Sequence, residues 1–441
     1  MPKVGFISLG CPKNLVDSEV MLGLLGQNGF EITDQEWEAD VLVVNTCAFI
    51  DAAQKESIDA ILEAGRWKEE GKCKKLIVAG CLVEKFRDEI RREIPEVDAV
   101  IGTNQILQIV DACSQPAYAP FVPQASFLYD DTTPRVRATL KHYAYIKVAE
   151  GCNHPCSFCI IPQLRGKFRS RGSESVMREA LQLGAQGVKE LNLIGQDTTM
   201  YGRDLEPRTT LAALLRELNQ VDGIEWIRFL YCYPHSTTEE LLETVAGLGK
   251  VCKYFDIPFQ HASGKVLQLM KRGGDAAFLM RIVEKIRRHM PEATLRSTMI
   301  VGFPGETDED FAQLEQFVRE ARLDRLGVFL YSDEESSSAF RLGEKVPRVA
   351  ARERRDTLMR LQRSISLQKN QSWVGRTVRV VLDGPSVETD MLWQGRTEGQ
   401  APDIDGTVLI NDAPEGTLRR GDFVSVEITE AHPYDLVGRI L

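Results

Sequence analysis

Between His142 and about Ser332 the chain repeats one pattern six times: a short apolar, strand-like run followed by a helical stretch. The runs are HYAYIKVAE, VKELNLIGQD, WIRFLYCYP, YFDIPFQ, LRSTMIVGF and RLGVFLYS. Helical sequence separates them, including Glu174 to Gly184, Thr209 to Asn219, Thr237 to Leu248, Ala276 to His289 and Glu309 to Ala321. A strand that returns parallel to its neighbour needs a long crossover, and a helix is the usual one. Six such units predict a (β/α) barrel or an incomplete one, with its chemistry on the loops that follow the strands.

Residues 1 to about 113 alternate in a similar way. The runs KVGFISLG, ADVLVVNT, KKLIVAG and DAVIGT lie between helical stretches and predict a parallel α/β sheet. Residues 114–139 hold four prolines and no sustained period, so they read as a linker, with a compact domain restarting near Leu140. Residues 349–372 lack Pro and Gly and predict a connecting helix. From 374 to 441 the runs TVRVVLD, GTVLIND, DFVSVEITE and DLVGRIL predict a small barrel of the OB type. The expected organisation is an α/β domain over 1–113, a linker over 114–139, a barrel domain with its connecting helix over 140–373 and a β-barrel over 374–441.

A chain of 441 residues, 43% hydrophobic and 27% charged, can supply cores for two or three domains. No run approaches the length of a bilayer span, and the apolar run Val4 to Leu9 is too short for a secretory leader, so the expectation is a cytoplasmic protein without membrane contact. In that compartment ten cysteines argue for metal or catalytic thiols over disulfides. The net charge of -10 argues against general affinity for a phosphate backbone, and hence against nucleic-acid contact.

The stretch EGCNHPCSFC places Cys152, Cys156 and Cys159 at C-x3-C-x2-C directly after the first barrel strand, where chemistry is expected. Three thiolates leave one iron of a cubic 4Fe-4S cluster without a protein ligand, free to bind a substrate or cofactor. The bland alternative is a zinc site with His154 or His142 as fourth ligand, although structural zinc more often shows paired C-x2-C spacing. Phe158, between the last two cysteines, could shield such a cluster and pack on an adenine, or could simply fill core. Cys11, Cys47 and Cys81 each end a strand-like run of the N-terminal domain, and strand ends of an open parallel sheet meet along one edge. They predict a second three-thiolate cluster, whereas Cys73, Cys113, Cys232 and Cys252 read as structural.

At these residues the sequence resembles the radical S-adenosylmethionine (SAM) enzymes, whose hallmark is C-x3-C-x2-C with an aromatic before the third cysteine. More narrowly it resembles the methylthiotransferases over essentially the whole chain. SLGCPKN, NTCAF and AGC look like that family's cluster-binding domain, and the C-terminal barrel looks like its TRAM domain. HYAYIKVAEGCNHPCSFCIIP, DIPFQHAS and LRSTMIVGFPGET are similar to the branch that modifies an aspartate of a ribosomal protein; the transfer RNA branch typically differs after the first cysteine and at QHAS.

The resemblance implies SAM bound to the open iron at Cys152, Cys156 and Cys159, reductive cleavage to a 5'-deoxyadenosyl radical, and transfer of a methylthio group held at the Cys11, Cys47, Cys81 cluster. It implies further SAM contacts at the barrel's strand ends: Gln196 and Asp197, Gln260 and His261, and Gly302 and Gly305 of IVGFPGET. The family's Gly-Gly-Glu contact is replaced here by Gly195-Gln196. His261 could equally be a loop histidine bonded to a backbone carbonyl, and the two glycines could serve only their turn.

Substrate choice is read from charge. Val374 to Leu441 holds six arginines, no lysine and twelve Asp or Glu, a balance of -6, which suits a basic protein partner better than RNA. The expected substrate is accordingly a small-subunit ribosomal protein, with an electron donor such as flavodoxin or ferredoxin. A transfer RNA methylthiotransferase and a non-catalytic metal scaffold are the alternatives.

Overall fold

The computed structural model describes residues 1–115, 127–386, 389, 391–412 and 418–441. Part of the predicted linker, residues 116–126, therefore lies outside the described residues.

The N-terminal domain is a five-stranded, all-parallel sheet. Its strands are β1 Lys3–Ser8, β2 Glu31–Thr33, β3 Val41–Thr46, β4 Lys75–Gly80 and β5 Val97–Ile101, in the spatial order β2-β1-β3-β4-β5. The central strand β3 is buried along its whole length, as its VLVVNT sequence requires between two helical layers. The edge strand β2 is a finding beyond the sequence reading: it is three residues long and two of them are exposed, so it carries little apolar pattern to read. Helices α1 Pro12–Gln27, α2 Asp51–Glu70 and α3 Cys81–Glu93 follow β1, β3 and β4.

The central domain contains all six expected strands: β6 Tyr143–Lys147, β7 Glu190–Ile194, β8 Trp226–Phe229, β9 Tyr254–Asp256, β10 Thr294–Val301 and β11 Arg325–Leu330. They pair in parallel as β8-β7-β6 and β9-β10-β11. A parallel bridge between Ile227 and Val251, and the Cys232 N–H donating to Asp256 C=O at 2.8 Å, join the halves into one arc in chain order. The result is a partial (β/α)6 barrel. Helix Arg348–Gln371 then packs along β11 and leads to the C-terminal domain.

That domain is a closed barrel of β12 Thr377–Pro385, β13 Trp393–Arg396, β14 Val408–Ile410, β15 Phe423–Ala431 and β16 Leu436–Ile440, ordered β12-β13-β14-β16-β15. The loop between β13 and β14 enters the open base of the central barrel. Alternation along β6 turns Tyr143, Tyr145 and Lys147 to one face. The first two meet that loop, Tyr143 donating to Asp403 at 2.9 Å and Tyr145 to Pro402 C=O at 3.2 Å, while Lys147 pairs with Asp17 of the N-terminal domain. Around them Arg396 bridges Glu190 (2.7 Å) and Asp383 (2.8 Å), Arg228 bonds Glu190 at 3.1 Å, and Tyr254 donates to Asp405 at 2.7 Å.

This insertion qualifies the charge argument. Asp383 and the Asp405 side chain are spent inside the molecule, and Asp403, although exposed, bonds Tyr143, so domain-level counting overstates the acidity offered to a partner. The described end of the segment read as linker is likewise built in: the largely buried Arg135 side chain ties Glu19 of α1 (2.8 Å) to Glu179 of the barrel (2.8 Å), and buried Tyr129 lies nearby.

Candidate functional site

Cys11, Cys47 and Cys81 stand at the ends of β1, β3 and β4, which are neighbours in the sheet. Cys11 caps α1, its carbonyl accepting from Asn14 N–H at 2.9 Å. Asn14 in turn donates to Leu9 C=O at 2.7 Å, and Asn45 donates to Asn14 C=O at 2.9 Å, so two of the strand ends are laced together by side-chain amides. Gly10 is needed at its φ of +91, because a Cβ there would lie 2.8 Å from Cys47 Cβ. The thiols sense one another's charge: burial pushes Cys81 up to about 11, with Cys11 and Cys47 adding to the rise. Burial opposes ionisation of Cys11 too, yet Lys13 and Arg165 together hold its thiol below the ordinary value.

Cys152, Cys156 and Cys159 lie on one loop beyond β6. Backbone turns set it: Cys159 N–H donates to Cys156 C=O at 3.1 Å, and Ser157 N–H donates to Met270 C=O at 3.0 Å. Two donors face sulfur, the His154 N–H toward Cys152 Sγ (3.5 Å) and Arg272 toward Cys156 Sγ (3.5 Å). Burial raises Cys152 to about 11 and Cys159 to about 12.

His154 turns its ring to Asp197 at 2.6 Å and stacks on Tyr233, while His142 sits before β6, at the end opposite the cysteines, bonded to Asp383 at 2.7 Å. Neither alternative zinc ligand closes on the thiols, and among the described residues no three His, Cys, Asp or Glu side chains converge on a single ion. Cys73, Cys113, Cys232 and Cys252 are buried, and burial raises the thiol pKa of each.

The remaining expected residues surround this loop unequally. Phe158 packs with Val266, Met270, Phe303 and Ala339. Gln196 donates to Glu150 at 2.5 Å, leaving its buried Oε1 without a partner among the described residues. Asp197 also accepts from Thr199 N–H at 2.9 Å. Gln260 has a φ of +72 and joins β10 through its backbone, donating to Thr298 C=O at 2.8 Å.

His261 is wholly buried; its Nδ1 accepts from Ser263 N–H at 3.0 Å, a donor rather than the carbonyl expected, and its Nε2 is unpartnered among the described residues. Burial lowers its pKa to about 3. Gly302 and Gly305 both have positive φ, +75 and +81, but a Cβ on Gly302 would meet Ala351 of the connecting helix at 2.5 Å, and its N–H is taken by Glu306 at 2.6 Å.

Matches to known proteins cover nearly all of this architecture. Residues 3–102 match the uncharacterized protein family UPF0004, 146–318 the radical SAM superfamily and 374–441 the TRAM domain. The chain is 52% identical to the ribosomal protein uS12 methylthiotransferase RimO of Koribacter versatilis, over 100% of this chain and 96% of that one. It is 53% identical to the protein of the same name from Solibacter usitatus, over 100% and 95%. The chain belongs to the RimO methylthiotransferase family. Among solved structures, the radical SAM methyltransferase TsrM from Kitasatospora setae, bound to tryptophan and a SAM analogue, shares the fold at a TM-score of 0.56 and 16% identity, covering 75% of this chain and 73% of that one.

As a RimO family member this chain is a radical SAM methylthiotransferase, with SAM and two 4Fe-4S clusters as its cofactors. The residues fit anionic clusters: two triads of thiols, with the cations Lys13 and Arg165 near one and Arg272 at the other. No helix among the described residues is long and apolar enough to cross a membrane.

What sequence reasoning missed is the connection between the triads. Arg165, on the short helix Ile161–Arg165, reaches Cys81 Sγ (3.6 Å), Asp17 (3.0 Å) and Glu150 (3.1 Å). Lys147 completes the buried quartet by pairing with Asp17 and, at 2.6 Å, with Glu150. Glu150 is two residues before Cys152, so one ion network touches both cysteine sites. Lys13 also crosses the interface, 3.1 Å over the ring of Tyr231, which has a strained φ of +64. The available signal was charge in the wrong place: Lys147 and Glu150 interrupt an otherwise apolar strand run.

Proposed function

We propose that this chain adds a methylthio group to the β-carbon of an aspartate in uS12, the twelfth small-subunit ribosomal protein. The observation that carries it is the pair of three-cysteine sites linked through Arg165, Glu150, Asp17 and Lys147. A radical and a sulfur donor must act on one carbon, and Arg165, which reaches Cys81, also bonds Glu150, two residues before Cys152, while the C=O of the next residue, Gly166, accepts from Cys152 N–H at 3.2 Å. The named relatives at 45–53% identity favour the ribosomal protein over transfer RNA.

Cys152, Cys156 and Cys159 would hold the cluster whose chemistry is reductive cleavage of SAM, and Cys11, Cys47 and Cys81 would hold the one that supplies the sulfur. Gln196 offers its free Oε1 to the methionine amino group. Asp197 orients His154 beside the loop, and Phe158 covers its outer wall. Gln260, His261, Gly302 and Gly305 line the strand ends where the rest of SAM lies, the positive φ at Gln260, Gly302 and Gly305 turning the backbone there. His261 stays neutral, because its buried site disfavours charge, and keeps one ring nitrogen for a ligand.

The substrate is a basic protein, the reductant is a flavodoxin or ferredoxin, nucleic acid takes no part, and the setting is cytoplasmic. Reduced, reconstituted enzyme given SAM, sulfide, uS12 and transfer RNA together should put the methylthio mass on an aspartate of uS12. The same mass on adenosine alone would keep the chemistry and overturn this substrate.

A further inference from the structure

The Cys152 to Cys159 loop is itself partly exposed, at Asn153 and Pro155, and the segment beside it is basic. The segment Lys271 to Gly274 lies against it: Leu269 C=O accepts from the Ser157 hydroxyl at 2.8 Å, and Arg272 spans from Cys156 Sγ to Pro258 C=O, the latter at 2.6 Å. Lys271, Gly273 and Gly274 have φ of +56, +70 and +83, and the Lys271 side chain is exposed.

A run of rings leads from the loop to solvent. His154 stacks on Tyr233 with centroids 3.7 Å apart and planes 8° apart, Tyr233 meets His235 at 5.6 Å, and exposed His235 stacks on Phe278 at 4.5 Å. Arg272 lies 4.6 Å over Tyr233, and Arg281 lies 6.0 Å over Phe278.

Lys271, Arg272 and Arg281 form no ion pair among the described residues, whereas the chain as a whole carries -10. The segment's own carboxylate, Asp275, is occupied as a helix cap, accepting from Phe278 N–H at 2.8 Å. With Asp275 counted, Lys271, Arg272 and Arg281 still leave this face net positive, and a net positive face on an acidic protein selects an acidic partner and speeds its arrival. Electron transfer falls steeply with distance, so a donor is best placed where the cover over the acceptor is thinnest.

We propose that the face made by Lys271, Arg272 and Arg281 docks an acidic one-electron donor protein, and that His235, Tyr233 and His154 form the contact path from it to the Cys152, Cys156, Cys159 site. This rests on the proposed function only in taking that site to hold an iron-sulfur cluster. One electron leaves the reduced donor and one reaches the oxidised cluster; no bond breaks and no proton moves.

The test is anaerobic stopped-flow reduction of the reconstituted holoenzyme by reduced flavodoxin, with dithionite as a small donor that needs no docking face. Lys271→Glu with Arg281→Glu should slow reduction by flavodoxin by roughly tenfold or more and flatten its salt dependence. Reduction by dithionite should keep its wild-type rate. His235→Leu should slow reduction at saturating flavodoxin while leaving the affinity for flavodoxin unchanged.

Charge-reversed enzyme reduced by flavodoxin at the wild-type rate would overturn the docking face. So would a wild-type enzyme that dithionite reduces and flavodoxin does not. Failure of the proposed function looks different: dithionite-reduced wild type would then leave SAM intact or leave uS12 unmodified, whatever the flavodoxin result.

Discussion

The two thiol triads are built in opposite ways. Cys152, Cys156 and Cys159 sit within eight residues on one loop, whereas Cys11, Cys47 and Cys81 are drawn from three strand ends spread over seventy-one. The first is local in its spacing and its turns, and the distant segment from Leu269 to Arg272 then braces it through the Ser157 bonds and the Arg272 donor. The second exists only because β1, β3 and β4 are adjacent, and adjacency is a property of sheet order. A loop motif announces its chemistry by spacing, and a sheet-edge motif announces it only once the topology is known.

Removing one thiol from each triad separates their duties most sharply. Cys156→Ala should abolish SAM cleavage and lower iron from about eight to about four per chain, read by product analysis and iron assay. Cys47→Ala should lose iron to the same extent and keep SAM cleavage, but form no methylthio product by mass spectrometry. A Cys47→Ala enzyme with full product would end the assignment of the second triad.

Arg165→Met asks whether the triads are one unit. It leaves Asp17 and Glu150 buried against Lys147 alone, which should cost about 3 kcal/mol, seen as a lower urea midpoint. The Cys81 site should be perturbed with it, visible in the electron paramagnetic resonance of the reduced protein. An unchanged spectrum with lowered stability would make the network structural only.

Below the triads the expected effects are smaller. The folded-state pKa of His261 is about 3, below its unfolded value, so charging it opposes the folded state. Stability should therefore fall as pH drops below about 6.5, by about 2 kcal/mol at pH 5. His261→Gln should remove that part of the slope in unfolding measured across the range. Tyr254→Phe deletes the 2.7 Å bond to Asp405 at the base of the barrel and should cost about 1 kcal/mol in the same assay.

Much of this molecule could be read before its structure. The six barrel strands appear where their apolar runs lie: β6 to β9 are buried throughout, which leaves a continuous apolar signature, while β10 alternates buried with half-buried positions and β11 is mostly half-buried. Strands β2 and β13 escaped notice for the converse reason, being three and four residues long with few buried apolar positions. The acids of the C-terminal barrel misled in part: Asp383 and Asp405 count as surface charge in a composition and prove to be buried partners of His142 and Tyr254, while Asp403 bonds Tyr143 from an exposed position.

The sequence by itself determined the three-part α/β, barrel and β-barrel order, the C-x3-C-x2-C loop and the pairing of each N-terminal cysteine with a strand end. All of these depend on neighbours within about ten residues, where periodicity and spacing carry the information. Tertiary structure alone decided that Arg165 and Glu150 link the two triads, and that the β13–β14 loop closes the barrel from below. Those are contacts between residues up to 260 positions apart, and a buried charge chooses its partner by which surfaces meet.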